Sequence, residues 1–179
     1  PIDIPSKLSY RGVMLEDVDL FKGFWVATER DDGVPRLRVT EFATGRHHHI
    51  DMPEAVYSTG PGTNEEFDTD LLRFVYQSYV TPRSTYDYDV AKRTRTLLKQ
   101  QPVLGGYDPL EYDSALLMAP AKDGTKVPVS LVWKKSLRAG GPQPLLLYGY
   151  GSYGHPMDVH FRSSRLSLLD RGMVFAIAH

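Results

Sequence analysis

Near its end the chain runs from a short apolar stretch, residues 145–147, into Tyr148-Gly-Tyr-Gly-Ser-Tyr-Gly154. An amphipathic segment follows at 161–171. Leu166, Leu169 and Met173 stand at helical spacing there, and Gly172 is a natural stop. A second apolar stretch, 173–178, runs to His179. The order strand, loop, helix, strand is a βαβ unit, whose strands must lie parallel. One such unit cannot bury a sheet, because parallel strands need cover on both faces. The chain is therefore expected to hold the opening of an α/β domain and to belong to a longer polypeptide.

The upstream half has a different texture. Phe24-Trp-Val-Ala-Thr-Glu29 and Leu72-Arg-Phe-Val-Tyr-Gln77 are both strand-like and lie 48 residues apart. Glu41-Phe-Ala-Thr-Gly-Arg46 and Asp89-Val-Ala-Lys-Arg-Thr94 share that offset. Each is an acidic strand end, a turn, and a basic entry into the next strand. A period in the forties with four short strands per repeat suits a β-propeller blade. Asp31-Asp-Gly-Val34 supplies a hairpin turn inside the first repeat. The repeat stops near Gln101, and Pro102-Val-Leu-Gly-Gly106 reads as a linker. Beyond it, 114–118 and 126–133 are strand patterns around Asp123-Gly124, a second hairpin signal. The predicted organisation is propeller blades over 1–103 and the start of an α/β domain over 104–179.

The glycine turn admits three readings. Gly149, Gly151 and Gly154 satisfy G-x-G-x-x-G after a strand, the dinucleotide pattern. That pattern needs its glycines to open the helix directly, yet Pro156 and several polar residues intervene. The acidic ribose ligand is missing as well. A plain glycine-rich turn at the top of a sheet is the second reading. The third is a resemblance.

Tyr148-Gly-Tyr-Gly-Ser-Tyr-Gly154, with Ser164-Arg-Leu-Ser-Leu-Leu-Asp-Arg-Gly172 and the stretch 174–179, closely resembles the oligopeptidase B branch of the prolyl oligopeptidase family of serine peptidases. Lys122-Asp-Gly-Thr-Lys-Val-Pro-Val-Ser-Leu-Val132 resembles the family's early catalytic-domain hairpin, and 72–89 its last propeller strands. The resemblance implies a mixed fold: the last blades of an all-β propeller, seven-bladed in the family, then the first part of an α/β-hydrolase domain. It implies hydrolysis of short basic peptides after Arg or Lys by a Ser-His-Asp mechanism, with the propeller gating access and no metal or organic cofactor. The partners so implied are short basic peptides and the remainder of the parent chain.

The family's nucleophile, aspartate and histidine all fall after His179, so residues 1–179 alone are expected to turn over no substrate. Ser152 is no substitute: a nucleophile elbow needs glycine two residues away on both sides, and Tyr150 stands on one of them. The resemblance places Tyr150 as a side-chain donor to the oxyanion formed during acyl transfer. Tyr153 stands where the prolyl branch has a phenylalanine lining the primary pocket, and an aromatic wall there packs against an Arg or Lys stem. Asp158 matches the first member of an Asp-x-Asp pair that meets the basic residue preceding the scissile one. His160 replaces the second member, which weakens the attraction for paired basic residues at neutral pH. Without the resemblance, Tyr150 reads equally as a rim or core tyrosine and Asp158 as an ordinary loop acid. Two alternatives stay open: a prolyl-specific relative, and a catalytically dead propeller and hydrolase-like binding protein.

Composition narrows the rest. A net charge of −1 gives no electrostatic case for nucleic acid or an anionic membrane, and no apolar run reaches the length of a membrane span. Absence of cysteine excludes disulfides, thiolate catalysis and Cys-type zinc sites, and fits a cytoplasmic location. His47-His-His49 is a weak metal candidate, since only His47 and His49 would share a strand face. The run Lys92-Arg-Thr-Arg95 reads as a solvated blade edge.

Overall fold

Alternation of more and less buried side chains marks the strands at 34–41 and 71–78, each inside one of the first two sheets. In a computed structural model, which describes residues 9–10, 13–138, 140–153 and 157–179, the first sheet has five antiparallel strands in sequential order. They are β1 (Ser9–Tyr10), β2 (Val13–Leu20), β3 (Phe24–Asp31), β4 (Val34–Glu41) and β5 (His47–His49). The second sheet is also antiparallel and sequential: β6 (Tyr57–Pro61), β7 (Leu71–Ser78), β8 (Ser84–Asp89) and β9 (Thr94–Gln100). Phe24, Val26, Leu37 and Val39 point from the first sheet into a core completed by Leu72, Phe74, Tyr76 and Tyr88 of the second. On β7 the intervening positions Arg73 and Gln77 point to the opposite face, the period-two pattern of a strand. Each sheet thus covers one face of its neighbour, the packing of adjacent blades in a propeller-type fold.

The 48-residue repeat extends to backbone conformation. β3 matches β7 and β4 matches β8, and the turns after β4 and β8 share one geometry. Gly45 has φ +67° and its N–H donates to the Glu41 carbonyl at 2.9 Å; Arg93 has φ +56° and its N–H donates to the Asp89 carbonyl at 2.8 Å. One repeat fills the left-handed position with glycine and the other with arginine. The turn at Asp32-Gly33 has both residues at positive φ, as a two-residue hairpin between β3 and β4 requires.

The third sheet is mixed, in the order β10-β11-β13-β12. β10 (Tyr112–Pro120) and β11 (Lys126–Lys134) form the hairpin expected around Asp123-Gly124, with longer strands than the sequence pattern indicated. The Asp123 carboxylate accepts from the Thr125 N–H at 2.9 Å and pins the loop. β12 (Leu145–Gly149) and β13 (Val174–Ala178) are parallel, joined through α1 (Ser163–Leu169). The helix is shorter than the predicted 161–171. Arg162 is extended at φ −141°, and the last turn closes through Gly172 N–H to Leu169 O at 2.9 Å and Met173 N–H to Leu168 O at 3.2 Å. Gly172, at φ +82°, is the stop the sequence indicated. A second core joins this sheet to the second one: Val132, Leu169, Phe175 and Ile177 pack with Val56 and Tyr79. By contrast, Leu145, Leu146, Leu147 and Tyr148 on β12 are all exposed.

The paired turns generate a prediction of opposite signs. A left-handed non-glycine residue costs about 1–2 kcal/mol, and glycine's extra unfolded-state entropy offsets about 0.5–1 kcal/mol of that. Arg93→Gly should therefore raise stability by about 0.5 kcal/mol. Gly45→Ala, where a Cβ meets nothing within 4 Å, should lower it by about 1 kcal/mol through backbone strain alone. Urea midpoints of the two variants check this, and a shift of both in one direction would refute the equivalence of the turns.

Candidate functional site

The loop after β12 begins at the carboxyl end of a parallel strand, where open α/β sheets place ligands. Gly149 lies against β13: a Cβ there would sit 3.6 Å from the Ala178 carbonyl oxygen. Gly151 (φ +60°) and Tyr153 (φ +56°) are left-handed, which turns the loop away from the strand axis. Tyr150 and Tyr153 are 57% and 87% exposed, so neither is a core tyrosine within the described residues. Gly154, the third glycine of the dinucleotide pattern, lies outside the described residues.

Residues 157–161 run along the junction of all three sheets, held by polar contacts. Asp158 accepts from the Arg30 guanidinium at 3.0 Å, and Arg30 also pairs with Glu16 at 2.6 Å and donates to the Gly33 carbonyl at 3.1 Å. Ser58 Oγ donates to the Val159 carbonyl at 2.7 Å. Gln77 reads two positions at once: its Oε1 accepts from the Phe161 N–H at 3.3 Å, which turns its Nε2 toward His160 Nδ1 at 2.9 Å. His160 Nδ1 is then an acceptor, and the neutral ring carries its proton on Nε2. Asp158 and His160 are thus brought to one segment, but each already has a partner on a propeller-type sheet.

Arg165 anchors the segment from beneath. Its guanidinium lies 4.1 Å from the Phe175 ring centroid and 4.9 Å from that of Tyr79, and it donates to the His160 carbonyl at 2.8 Å. No carboxylate pairs with it among the described residues. Burial pulls its pKa down to about 10, which leaves it charged at neutral pH. Facing cations onto aromatic rings is the compensation available when no acid is present.

His179 completes the junction. Its Nδ1 donates to the Met157 carbonyl at 2.7 Å, so its Nε2 accepts from Ser130 Oγ at 2.7 Å, and Ser130 in turn accepts from the Tyr79 hydroxyl at 2.7 Å. Burial raises the Tyr79 phenol to about 12, which keeps it a donor. The chain of bonds ties β11 and the residues just after β7 and β13 to the residue preceding Asp158. Sequence reasoning singled out neither Arg30, Gln77 nor His179. Arg165 had a signal, a charged side chain one residue from Leu166 and four from Leu169 on the apolar stripe.

The histidine run behaves as strand alternation requires. His48 meets the Tyr88 hydroxyl at 2.9 Å, while His49 meets Glu29 at 3.2 Å; Glu29 also holds Arg38 at 2.6 Å. Among the described residues no three His, Asp or Glu side chains gather as a metal site, and no helix is long and apolar enough to cross a membrane.

With this geometry in hand, similarity to known proteins is specific. Residues 9–101 match the family model "Prolyl oligopeptidase, N-terminal beta-propeller domain". The chain is 45% identical over 168 residues to dipeptidyl aminopeptidase BI of Pseudoxanthomonas mexicana, covering 93% of this chain and 23% of that one. It is 31% identical to Protease 2 of Moraxella lacunata, covering 92% and 24%. Oligopeptidase B from Trypanosoma brucei, solved in a closed form with covalently bound antipain, superposes with a TM-score of 0.83 at 36% identity, covering 93% and 25%. The chain belongs to the prolyl oligopeptidase family of serine peptidases, and it spans about a quarter of the length of these relatives.

The His179 geometry predicts acid lability. Burial lowers its pKa below the ordinary value of 6.5, so the folded state binds fewer protons than the unfolded state in that range. The stability from this neutral, buried ring is fully present above pH 6.5 and is lost progressively as pH falls toward the folded-state pKa. Melting temperature followed from pH 7.5 to 5 should fall more steeply for the wild type than for His179→Gln. Parallel curves would exclude His179 as the titrating group.

Proposed function

We propose that the chain forms the last blades of the propeller, over 1–103, and the first part of an α/β-hydrolase catalytic domain, over 104–179, of a serine oligopeptidase. The parallel pair β12 and β13 with its helical crossover supports this. So does the exposed apolar strand β12, since parallel strands of such domains are covered on both faces. In this reading the parent cleaves short peptides after Arg or Lys, and its Ser, Asp and His come from chain beyond His179. Lack of cysteine suits work in the reducing cytoplasm.

The observation that carries the reading is the Tyr150 side chain, exposed on the loop at the carboxyl end of β12. An α/β-hydrolase draws one oxyanion donor from the residue after its nucleophile and another from the loop after an early strand. Tyr150 supplies the second through its hydroxyl. Tyr153 walls the primary pocket, where its ring packs against the alkyl stem of Arg or Lys. Asp158, with an exposed carboxylate face, attracts the basic residue that precedes the cleaved one. His160 stands beside it, its Nδ1 already met by Gln77.

A second reading follows from the relative named dipeptidyl aminopeptidase BI. A carboxylate that attracts a basic side chain also attracts a free α-ammonium, so the parent would release dipeptides from peptide N-termini. Substrates with free and with blocked N-termini separate the two readings.

In the polypeptide that joins this segment to its nucleophile, Tyr150→Phe should lower kcat by about 10²-fold or more and leave KM nearly unchanged, because the donor acts on charge that develops in the transition state. Steady-state kinetics on blocked Arg-, Lys- and Pro-linked chromogenic peptides test this. An unchanged kcat would reduce Tyr150 to packing, and preferential cleavage after Pro would overturn the basic specificity.

A further inference from the structure

Asp158 does not face solvent as a lone acid. Glu16 on β2, Arg30 on β3 and Asp158 form one linear cluster across the junction, with Arg30 in the middle. Arg30 is the buried member, with its side chain 12% exposed, against 28% for Glu16 and 42% for Asp158. It is pinned on three sides, by Glu16 Oε1 at 2.6 Å, by the Gly33 carbonyl at 3.1 Å and by Asp158 Oδ1 at 3.0 Å. Among the described residues only Oδ1 of Asp158 is engaged, which leaves Oδ2 to face a further cation. Two carboxylates and one guanidinium carry a net charge of −1, and a single added positive group balances them.

We infer that Arg30, backed by Glu16, is a specificity-determining residue: the propeller-type sheet sets how strongly Asp158 attracts a cationic substrate group. The inference rests on the reading that Asp158 meets the basic residue preceding the scissile one. Arg30 already neutralises part of the Asp158 charge, and Glu16 in turn draws Arg30 away from it. Removing Arg30 leaves two uncompensated carboxylates, which strengthens the attraction for a cation. Removing Glu16 leaves Arg30 to Asp158 alone, which weakens it. Neither residue needs to touch substrate, and the two changes act in opposite directions. A purely structural clasp has no such property, because its loss on either side would loosen the loop and depress turnover of every substrate.

The test uses the complete polypeptide and two peptides that differ only before the cleaved arginine, Arg-Arg and Gly-Arg. Arg30→Gln should raise the preference for Arg-Arg, through KM with kcat unchanged, by up to about fivefold at low salt. Glu16→Gln should lower the preference by a similar factor, and Arg30→Lys should leave it near the wild-type ratio. Both shifts should shrink between 0.02 and 0.5 M salt, values chosen so that screening lengths fall from roughly 20 Å to about 4 Å. Asp158→Asn separates the layers of the argument. Loss of the Arg-Arg preference in Asp158→Asn, with Arg30→Gln and Glu16→Gln moving it the same way or not at all, would overturn the inference alone. No change in Asp158→Asn would overturn both the inference and the role given to Asp158. Should Arg30→Gln fail to fold, Glu16→Gln, at a more exposed position, decides the matter by its sign.

Discussion

The cation of Arg165 between the rings of Phe175 and Tyr79 is the contact on which the junction turns. Phe175 belongs to the parallel strand β13, and Tyr79 follows the central strand β7 of the second sheet. The helix that carries Arg165 crosses between β12 and β13, so fixing its guanidinium fixes the crossover against the propeller-type layer. The same group donates to the His160 carbonyl, which holds the segment bearing Asp158 and His160. Burying a cation without an acid is costly. Here two aromatic faces and a backbone carbonyl compensate, and they leave every nearby carboxylate uncommitted to Arg165.

Around that contact the polar groups divide the labour. Ser58 and Gln77 bind backbone at Val159 and Phe161, so the path of the segment is set by amide and hydroxyl groups indifferent to pH. Charge enters at Asp158, which meets Arg30, and at the His160 carbonyl, which Arg165 holds, while His179 stands behind Met157. Neutral bonds and the Arg165 guanidinium together set the geometry, while Arg30 and Glu16 on the first sheet set the charge around Asp158. The Glu16–Arg30 pair spans adjacent strands β2 and β3 at a β-bulge, where the register shifts between Leu15 and Asp17 and leaves Glu16 unpaired in the ladder.

Much of this fold was legible because it rests on local periodicity. The strand-like stretches at Phe24 and Leu72, the acidic strand ends at Glu41 and Asp89, and the turn glycines at Gly33 and Gly172 each report backbone geometry through their own residue type. The 48-residue spacing joined them into repeats. The blade-to-blade face was implied, since alternation marks a buried side and the repeat supplies its cover. The site was read differently. Tyr150, Tyr153, Asp158 and His160 were found through a family likeness, and the structure adds their surroundings without testing their roles. Arg30 and Gln77 were invisible because their meaning depends on contacts 128 and 83 residues away along the chain, to Asp158 and His160. Nothing in a strand-ending arginine announces which distant carboxylate it will meet. The start of the helix was misjudged because residues 161–162 look helical by composition, while the Phe161 N–H is taken by Gln77 and Arg162 is held extended.

The second core has a bearing on time as well as on space. Tyr79 and Val56 find their apolar partners Phe175 and Ile177 only after roughly another hundred residues have been made, which at ribosomal rates of about 5–20 residues per second means a wait of roughly 5–20 s. During that interval the first two sheets can close on each other through Phe24, Val26, Phe74 and Tyr76, whereas one end of the second sheet stays uncovered. A blade pair that formed in that interval would lack the Phe175 and Ile177 side chains that complete this core. That stage is where a nascent-chain chaperone has most to offer this protein, and where a substitution at Tyr79 or Phe175 would first be felt.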